Sequence, residues 1–136
     1  MPGLGTDLGL VGTSVFIASE SGRLLHEGKL PLETVISVVT LAELQAGVLV
    51  AIDTATRAQR LATLEAVADI QVLVIDDMVA QERARLRVLL AETARRISVN
   101  DLWIAATAVA HGIPVVTKDS DFDPLIEVAG LDVVQV

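Results

Sequence analysis

The chain has 136 residues, 52% of them hydrophobic, and 18 acidic side chains against 10 basic ones give a formal net charge of −8. That length and apolar content suit one domain over residues 1–136 with a substantial core. The lack of cysteine excludes a disulfide framework, thiolate zinc sites and a cysteine nucleophile together. Aromatics are only 2%, which argues against a surface that stacks successive bases, and the acidity argues against unaided, indiscriminate binding of nucleic acid. Mean hydropathy is high at +0.60. No run of about eighteen apolar residues is free of charge, so no membrane association is expected. The opening Met1 to Asp7 lacks the basic and apolar regions of a signal peptide, so it reads as a flexible extension and the location as cytoplasmic. An apolar excess without a membrane run points to surface covered by a partner.

In chain order, Leu8 to Val11 reads as a buried strand, followed by a helix from near Ser14. Thr34 to Val39 is a second β-branched run. It leads into Thr40 to Val50, where Leu41, Leu44 and Val48 recur at helical spacing. Asp53 can cap a helix over Thr54 to Val67. Gln71 to Ile75 is a third strand, and Asp76 or Asp77 can cap a long helix over Met78 to Ala94. Asn100 to His111 is helical and is stopped by Gly112 and Pro114. Val115 to Thr117, a short helix over Pro124 to Val128, and a last strand over Asp132 to Val136 follow. Apolar strands alternating with helices predict an α/β fold: a three-layer α/β/α domain around a mainly parallel sheet of about five strands.

In such sheets the strand C-termini share one edge, and ligands sit there. Gly12, Thr13 and Ser14 follow the first strand, and Glu43 lies just after the second. Asp101 opens the helix before the fourth, and Thr117, Asp119 and Asp121 follow it. Clustered carboxylates raise one another's pKa unless a cation offsets them. Mg²⁺ or Mn²⁺, which favour hard oxygen ligands, suit such a set and can activate water against a phosphodiester.

Each acid also has a plainer reading. Thr40-Leu41-Ala42-Glu43 matches a capping box, and Ser98-Val99-Asn100-Asp101 can be N-cap chemistry. Asp119, Asp121 and Asp123 can form turns ahead of Pro124. Capping, however, does not require the acids to share one sheet edge. His26 and His111 stand in no metal-pair spacing, and His111 fits a helix C-terminus. Arg83, Arg85, Arg87, Arg95 and Arg96 form the one basic cluster, readable as a solvated face or as contacts to an RNA backbone or an acidic segment. Trp103 reads as a core or interface anchor.

Four segments carry a family resemblance: Leu10-Val11-Gly12-Thr13-Ser14-Val15-Phe16-Ile17-Ala18, Val39-Thr40-Leu41-Ala42-Glu43-Leu44, Asn100-Asp101-Leu102-Trp103-Ile104-Ala105-Ala106 and Val115-Val116-Thr117-Lys118-Asp119-Ser120-Asp121-Phe122. In this order the sequence resembles a PIN-domain ribonuclease, specifically the VapC-type toxin of toxin–antitoxin pairs. The resemblance implies a Mg²⁺-dependent endoribonuclease, with Mn²⁺ as a possible substitute, in which Glu43, Asp101 and Asp119 are catalytic and bind metal. Asp121, Thr13, Ser14 and Thr117 are implied helpers. It further implies a homodimer, an RNA substrate and a cognate antitoxin that lays an amphipathic segment over apolar surface.

One position departs from the family. The family's Asp-Thr-Ser places an acid where this chain has Gly12. Asp7 lies five positions back along an extended strand, about 16 Å away, too far to replace it. The expectation is therefore an intact fold with a weakened metal site and impaired activity. The alternative is a catalytically inactive PIN-fold module that sequesters an antitoxin. A phosphoacceptor receiver domain also fits five strands with acids at their ends, but Gly12-Thr13 stands where its acidic pair belongs.

Overall fold

Short β-branched runs form five parallel strands: β1 (Leu8–Val11), β2 (Glu33–Ser37), β3 (Gln71–Leu73), β4 (Val115–Thr117) and β5 (Val133–Gln135). The structure, a computed structural model, describes residues 7–136. Most of the expected N-terminal extension therefore lies outside the described residues. Asp7 is held beside β2, its Oδ1 accepting from the Leu32 amide at 3.0 Å. Six helices join the strands: α1 (Thr13–Glu20), α2 (Val38–Val50), α3 (Thr54–Ala66), α4 (Asp77–Glu92), α5 (Val99–His111) and α6 (Asp123–Ala129). Among the described residues no helix is long and apolar enough to cross a membrane.

The strand order is β3-β2-β1-β4-β5. This differs from the β2-β1-β3-β4-β5 order of flavodoxin-like and receiver sheets, and the receiver alternative is thereby excluded. Period-two alternation sends neighbouring residues of each strand to opposite faces. Leu10, Val35 and Val115 join one core with Val79 and Leu86 of α4, Ile104 of α5 and Leu125 of α6. Val11, Ile36 and Val116 join the other with Val15 of α1 and Leu44 of α2, against which Leu64 of α3 packs. A sheet buried on both faces needs strands that are apolar throughout, which is what the sequence supplies. Truncating a fully buried member such as Leu10 or Ile104 to alanine should cost about 2–5 kcal/mol.

Helix boundaries follow their caps. Asp53 Oδ1 accepts from the Thr56 amide at 2.7 Å, Asp76 Oδ1 from Val79 at 3.0 Å and Ser98 Oγ from Asp101 at 3.1 Å. α5 ends at Gly112, whose φ of 65° is the left-handed conformation that glycine adopts without a side-chain clash. In β1, a Cβ on Gly9 would come within 2.7 Å of both Pro31 and Val116 side-chain carbons, so only glycine lets the neighbouring strand and loop approach so closely. The second helix departs from the expected start at Thr40. It begins at Val38, with Ser37 as N-cap accepting from the Val39 amide at 3.0 Å.

Candidate active site

Because the strands are parallel, their C-terminal ends lie along one edge. There α1 leaves β1, α2 leaves β2, and the turn after β4 leads toward α6. The N-terminus of α5 joins them. Together they line a cleft of about 210 Å³ that brings in Gly12, Thr13, Ser14, Glu43, Asp101, Asp119 and Asp121. Of the candidates marked in the sequence, only Thr117 stays behind this lining. It is 1% exposed, with its hydroxyl 3.1 Å from Ser14 Oγ and 3.1 Å from Asp119 Oδ1.

Glu43 does not act in a capping box, since Thr40 lies inside α2 rather than at its start. Its carboxylate instead accepts a 2.6 Å bond from the Thr13 hydroxyl on α1. That hydroxyl is also 3.3 Å from Thr40 Oγ1, but it has one proton, and the shorter, charge-assisted bond claims it. Asp101 does both tasks the sequence left open. Its amide satisfies the Ser98 cap, while its carboxyl stands in the cleft. Burial pushes that carboxyl above the usual range, and the charges of Asp121, Glu43 and Asp119 push it further, against a lowering hydrogen bond from Ser98. Asp121 is raised as well, by desolvation and then by its neighbour Asp119.

Asp119 bears out the turn reading in part. Its Oδ1 accepts from the Asp121 amide at 3.0 Å and from Thr117, leaving the second oxygen without such a bond among the described residues. Ser14 is a latch between elements, accepting from the Lys118 amide at 3.0 Å. The Lys118 ammonium turns away to the Val136 carbonyl at 3.4 Å, so it does not neutralise the cleft.

Sequence reading passed over two lining residues, Ile17 and Phe122. Ile17 had a usable signal, because it sits one turn after Thr13 on the same face of α1. Phe122 had none, since its place depends on how the turn before α6 folds. Asp123, grouped with the turn acids, starts α6 and does not line the cleft. His26 and His111 stand outside the cleft as well, the latter in the last turn of α5.

Gly12 occupies the wall where β1 ends. Its amide donates to the Val116 carbonyl at 2.8 Å, and its backbone is extended at φ −77° and ψ 161°, a conformation open to any residue. The donor set here is all hard oxygen, the chemistry a divalent cation favours. Yet among the described residues no three acidic or histidine side chains come together closely enough to hold one.

A sheet in the order 3-2-1-4-5, with acids from two of its strand ends and from the start of α5 facing one cleft, defines the PIN class of α/β domain, and residues 10–127 match the family model described as PIN domain. Ribonucleases of this class generally use a divalent metal. Ribonuclease VapC5 of Mycobacterium tuberculosis is 53% identical over 94% of this chain and 95% of its own length. Ribonuclease VapC4 of the same organism is 41% identical over 88% of this chain and 92% of its own. The crystal structure of VapBC-5 from Mycobacterium tuberculosis, a member of the VapBC toxin–antitoxin family, superposes with a TM-score of 0.89 at 48% identity, covering 96% of this chain and 99% of the other. The chain belongs to the PIN-domain family, among its VapC ribonucleases.

Proposed function

We propose that this chain is the toxin of a toxin–antitoxin pair, built to cleave RNA phosphodiesters with a divalent metal but weakened because Gly12 replaces an acidic ligand. The observation that carries the reading is the cleft itself. Glu43, Asp101, Asp119 and Asp121 line it, and the position beside them that bears a carboxylate in the family is glycine. In this reading Asp101, Glu43 and Asp119 are the catalytic and metal-holding acids. Mg²⁺ is the cofactor, with Mn²⁺ as substitute, and the cation would supply positive charge against the phosphate.

The chain's own residues perform the positioning. Thr13 fixes one Glu43 oxygen and leaves the other free to orient or deprotonate an attacking water. Asp119 is held by its turn, and the raised pKa of Asp101 comes from its burial first and from the neighbouring carboxylates second. Ser14, Thr117 and Asp121 act as supports for this geometry.

A cognate antitoxin is the proposed partner, and the related VapBC-5 structure belongs to a toxin–antitoxin family. A hollow of about 320 Å³ among α1, α2 and α3 is lined by Ile17, Leu44, Val50 and Arg60, and it shares Thr13, Ile17 and Glu43 with the acidic cleft. An amphipathic segment seated there would bring a basic side chain to the acids, a helix-in-groove mode of recognition. The proposed assembly is a homodimer in the cytoplasm.

The test is Gly12→Asp, assayed for RNA cleavage and for melting temperature with Mg²⁺ and with EDTA. Cleavage should rise at least about 100-fold over this chain, the scale of a single transition-state contact of about 2.7 kcal/mol. Mg²⁺ should raise the melting temperature of the variant more than that of the parent, by ligand linkage. A revertant that cuts no faster and gains no extra metal stabilisation sinks the reading and favours an inactive, antitoxin-binding PIN fold.

A further inference from the structure

Four of the chain's ten basic residues, Arg83, Arg87, Arg95 and Arg96, line one hollow of about 290 Å³ between α4 and the loop into α5. Its position is set by two devices. At the end of α4, Ala94 takes φ 54° and the Arg95 amide closes on the Leu90 carbonyl at 3.0 Å, the pattern of a Schellman turn with alanine where glycine is usual. That turn swings Arg95 and Arg96 back beside Arg83 and Arg87, which share a face of α4 one turn apart. The second device is Trp103. The Arg83 guanidinium carbon lies 4.5 Å from the centre of its ring, so an aromatic face holds the charge in place without neutralising it.

The charges in this hollow are largely unspent. Arg95 pairs with Glu127, and Arg85, on another face, pairs with Glu82. Arg83, Arg87 and Arg96 have no ion pair among the described residues. Arg83 Nε is buried with no hydrogen-bond partner, a state that costs free energy unless an acceptor arrives. Three free guanidinium groups around a small cavity therefore ask for an anion with several acceptor oxygens.

The hollow also has a fixed relation to the acidic cleft. The first turn of α5 separates them: Ser98 and Asp101 line the cleft, while Val99 and Leu102 line the basic hollow. The two lie on neighbouring faces of one helix end, since each pair is offset from the other by one residue, about 100° around the axis. A polyanion approaching the acids of a chain with net charge −8 meets their repulsion, and this flank offers it several guanidinium groups without an ion pair, next to the cleft. We infer that the Arg83–Arg87–Arg96 hollow is a phosphate-binding subsite that grips the RNA backbone a few nucleotides from the scissile bond. Phosphate contacts of this kind set register on the strand without reading sequence. An acidic protein segment would satisfy the same charges, and loss of antitoxin binding with RNA binding intact is the outcome that would assign the hollow to it.

The inference rests on the ribonuclease reading, and its test separates the two. Binding of a labelled single-stranded RNA oligonucleotide is measured by anisotropy across a salt series for this chain, Arg87→Ala/Arg96→Ala, and the equal-charge control Arg23→Ala/Lys29→Ala. The subsite pair should weaken binding about tenfold or more. It should also reduce the magnitude of the log–log salt slope by about 1.4, as loss of two single-strand phosphate contacts requires. The control should stay within about twofold. Arg83→Gln is the second variant; since it also loses its stacking on Trp103, its melting temperature is measured alongside.

In the Gly12→Asp background, the Arg87→Ala/Arg96→Ala pair should raise KM about tenfold with kcat nearly unchanged, whereas a merely structural role would lower kcat and melting temperature together. Unchanged RNA affinity and slope overturn the subsite and leave the nuclease standing. So does loss of antitoxin binding with RNA binding intact. Failure of both parent and Gly12→Asp to bind RNA overturns both.

Discussion

At position 12, backbone and neighbourhood give opposite instructions. The extended conformation admits any side chain, and the residue is the N-cap of α1, where Asp is favoured over Gly by a few tenths of a kcal/mol. A Cβ there would stand 3.3 Å from the Val116 carbonyl oxygen, close enough that β4 must give slightly. The glycine is therefore not demanded by the fold; what it changes is the charge of the cleft. Asp101 shows what that charge does. Its carboxyl titrates above the ordinary Asp value near 3.8 because burial, and then Asp121, Glu43 and Asp119, oppose its ionisation. A raised carboxylate pKa means the folded state binds the proton more tightly than the unfolded chain, so stability falls as pH rises from below 3.8 through the folded value. In EDTA, Asp101→Asn should therefore raise the melting temperature at pH 7, by about 2–4 °C, with the gain vanishing below pH 3.8. Thermal melts across pH decide it: an equal gain at pH 3 and pH 7 contradicts the electrostatic account.

At the scale of elements, the caps decide where helices start. Asp53 opens α3 with Oδ1 on the Thr56 amide and Oδ2 2.9 Å from the Thr56 hydroxyl, and these bonds hold its pKa below the ordinary value. With the folded pKa depressed, the stabilisation is complete above about pH 3.8 and is lost as pH falls through the lowered value. Asp53→Ala should accordingly melt lower than the parent at pH 7, by a margin that persists to pH 5 and closes in stronger acid. A margin unchanged at pH 2 contradicts the ionised cap.

Asp53, Asp76 and Ser98 were legible as caps because each precedes a helical repeat with a side chain suited to bonding the N2 or N3 amide. The start of α2 was not. Val38 and Val39 have strand propensity, and Thr40 with Glu43 imitates a capping box, so the sequence favours a helix two residues late. The buried Ser37 hydroxyl overrides both. The single turn at Glu27–Lys29 was invisible, since three residues carry no period. Glu43, Asp119 and Asp121 were readable because parallel topology assigns every strand's C-terminus to one edge, whatever the loop lengths, while Asp101 was readable as the acid that opens the helix leading into β4. Thr13 on Glu43, and Arg83 on Trp103, were not readable, because each pairs elements distant in sequence through side-chain conformation alone.

For the whole molecule, part of the exposed apolar surface lies beside the acidic cleft. Val50 is 69% exposed and Ile52 98%, at the end of α2 and the turn into α3, beside the hollow that opens into the acidic cleft. Leu24 and Leu32 are as exposed, at 89% and 87%, but lie on the segment between α1 and β2, outside that hollow. Neither pair is in the core, so replacing either should change stability by no more than about 0.5 kcal/mol per residue. They should part company in association. Introducing charge beside the hollow desolvates a carboxylate against an apolar segment, at a cost of several kcal/mol if it stays unpaired. Val50→Glu/Ile52→Glu should thus weaken the cognate antitoxin by at least about 100-fold, or about 2.7 kcal/mol. Leu24→Glu/Leu32→Glu, with the same change in charge, should leave it within about threefold. Calorimetric titration of both variants decides the matter. Equal weakening would mean that net charge governs the complex, and no weakening would place the antitoxin on another face of the domain.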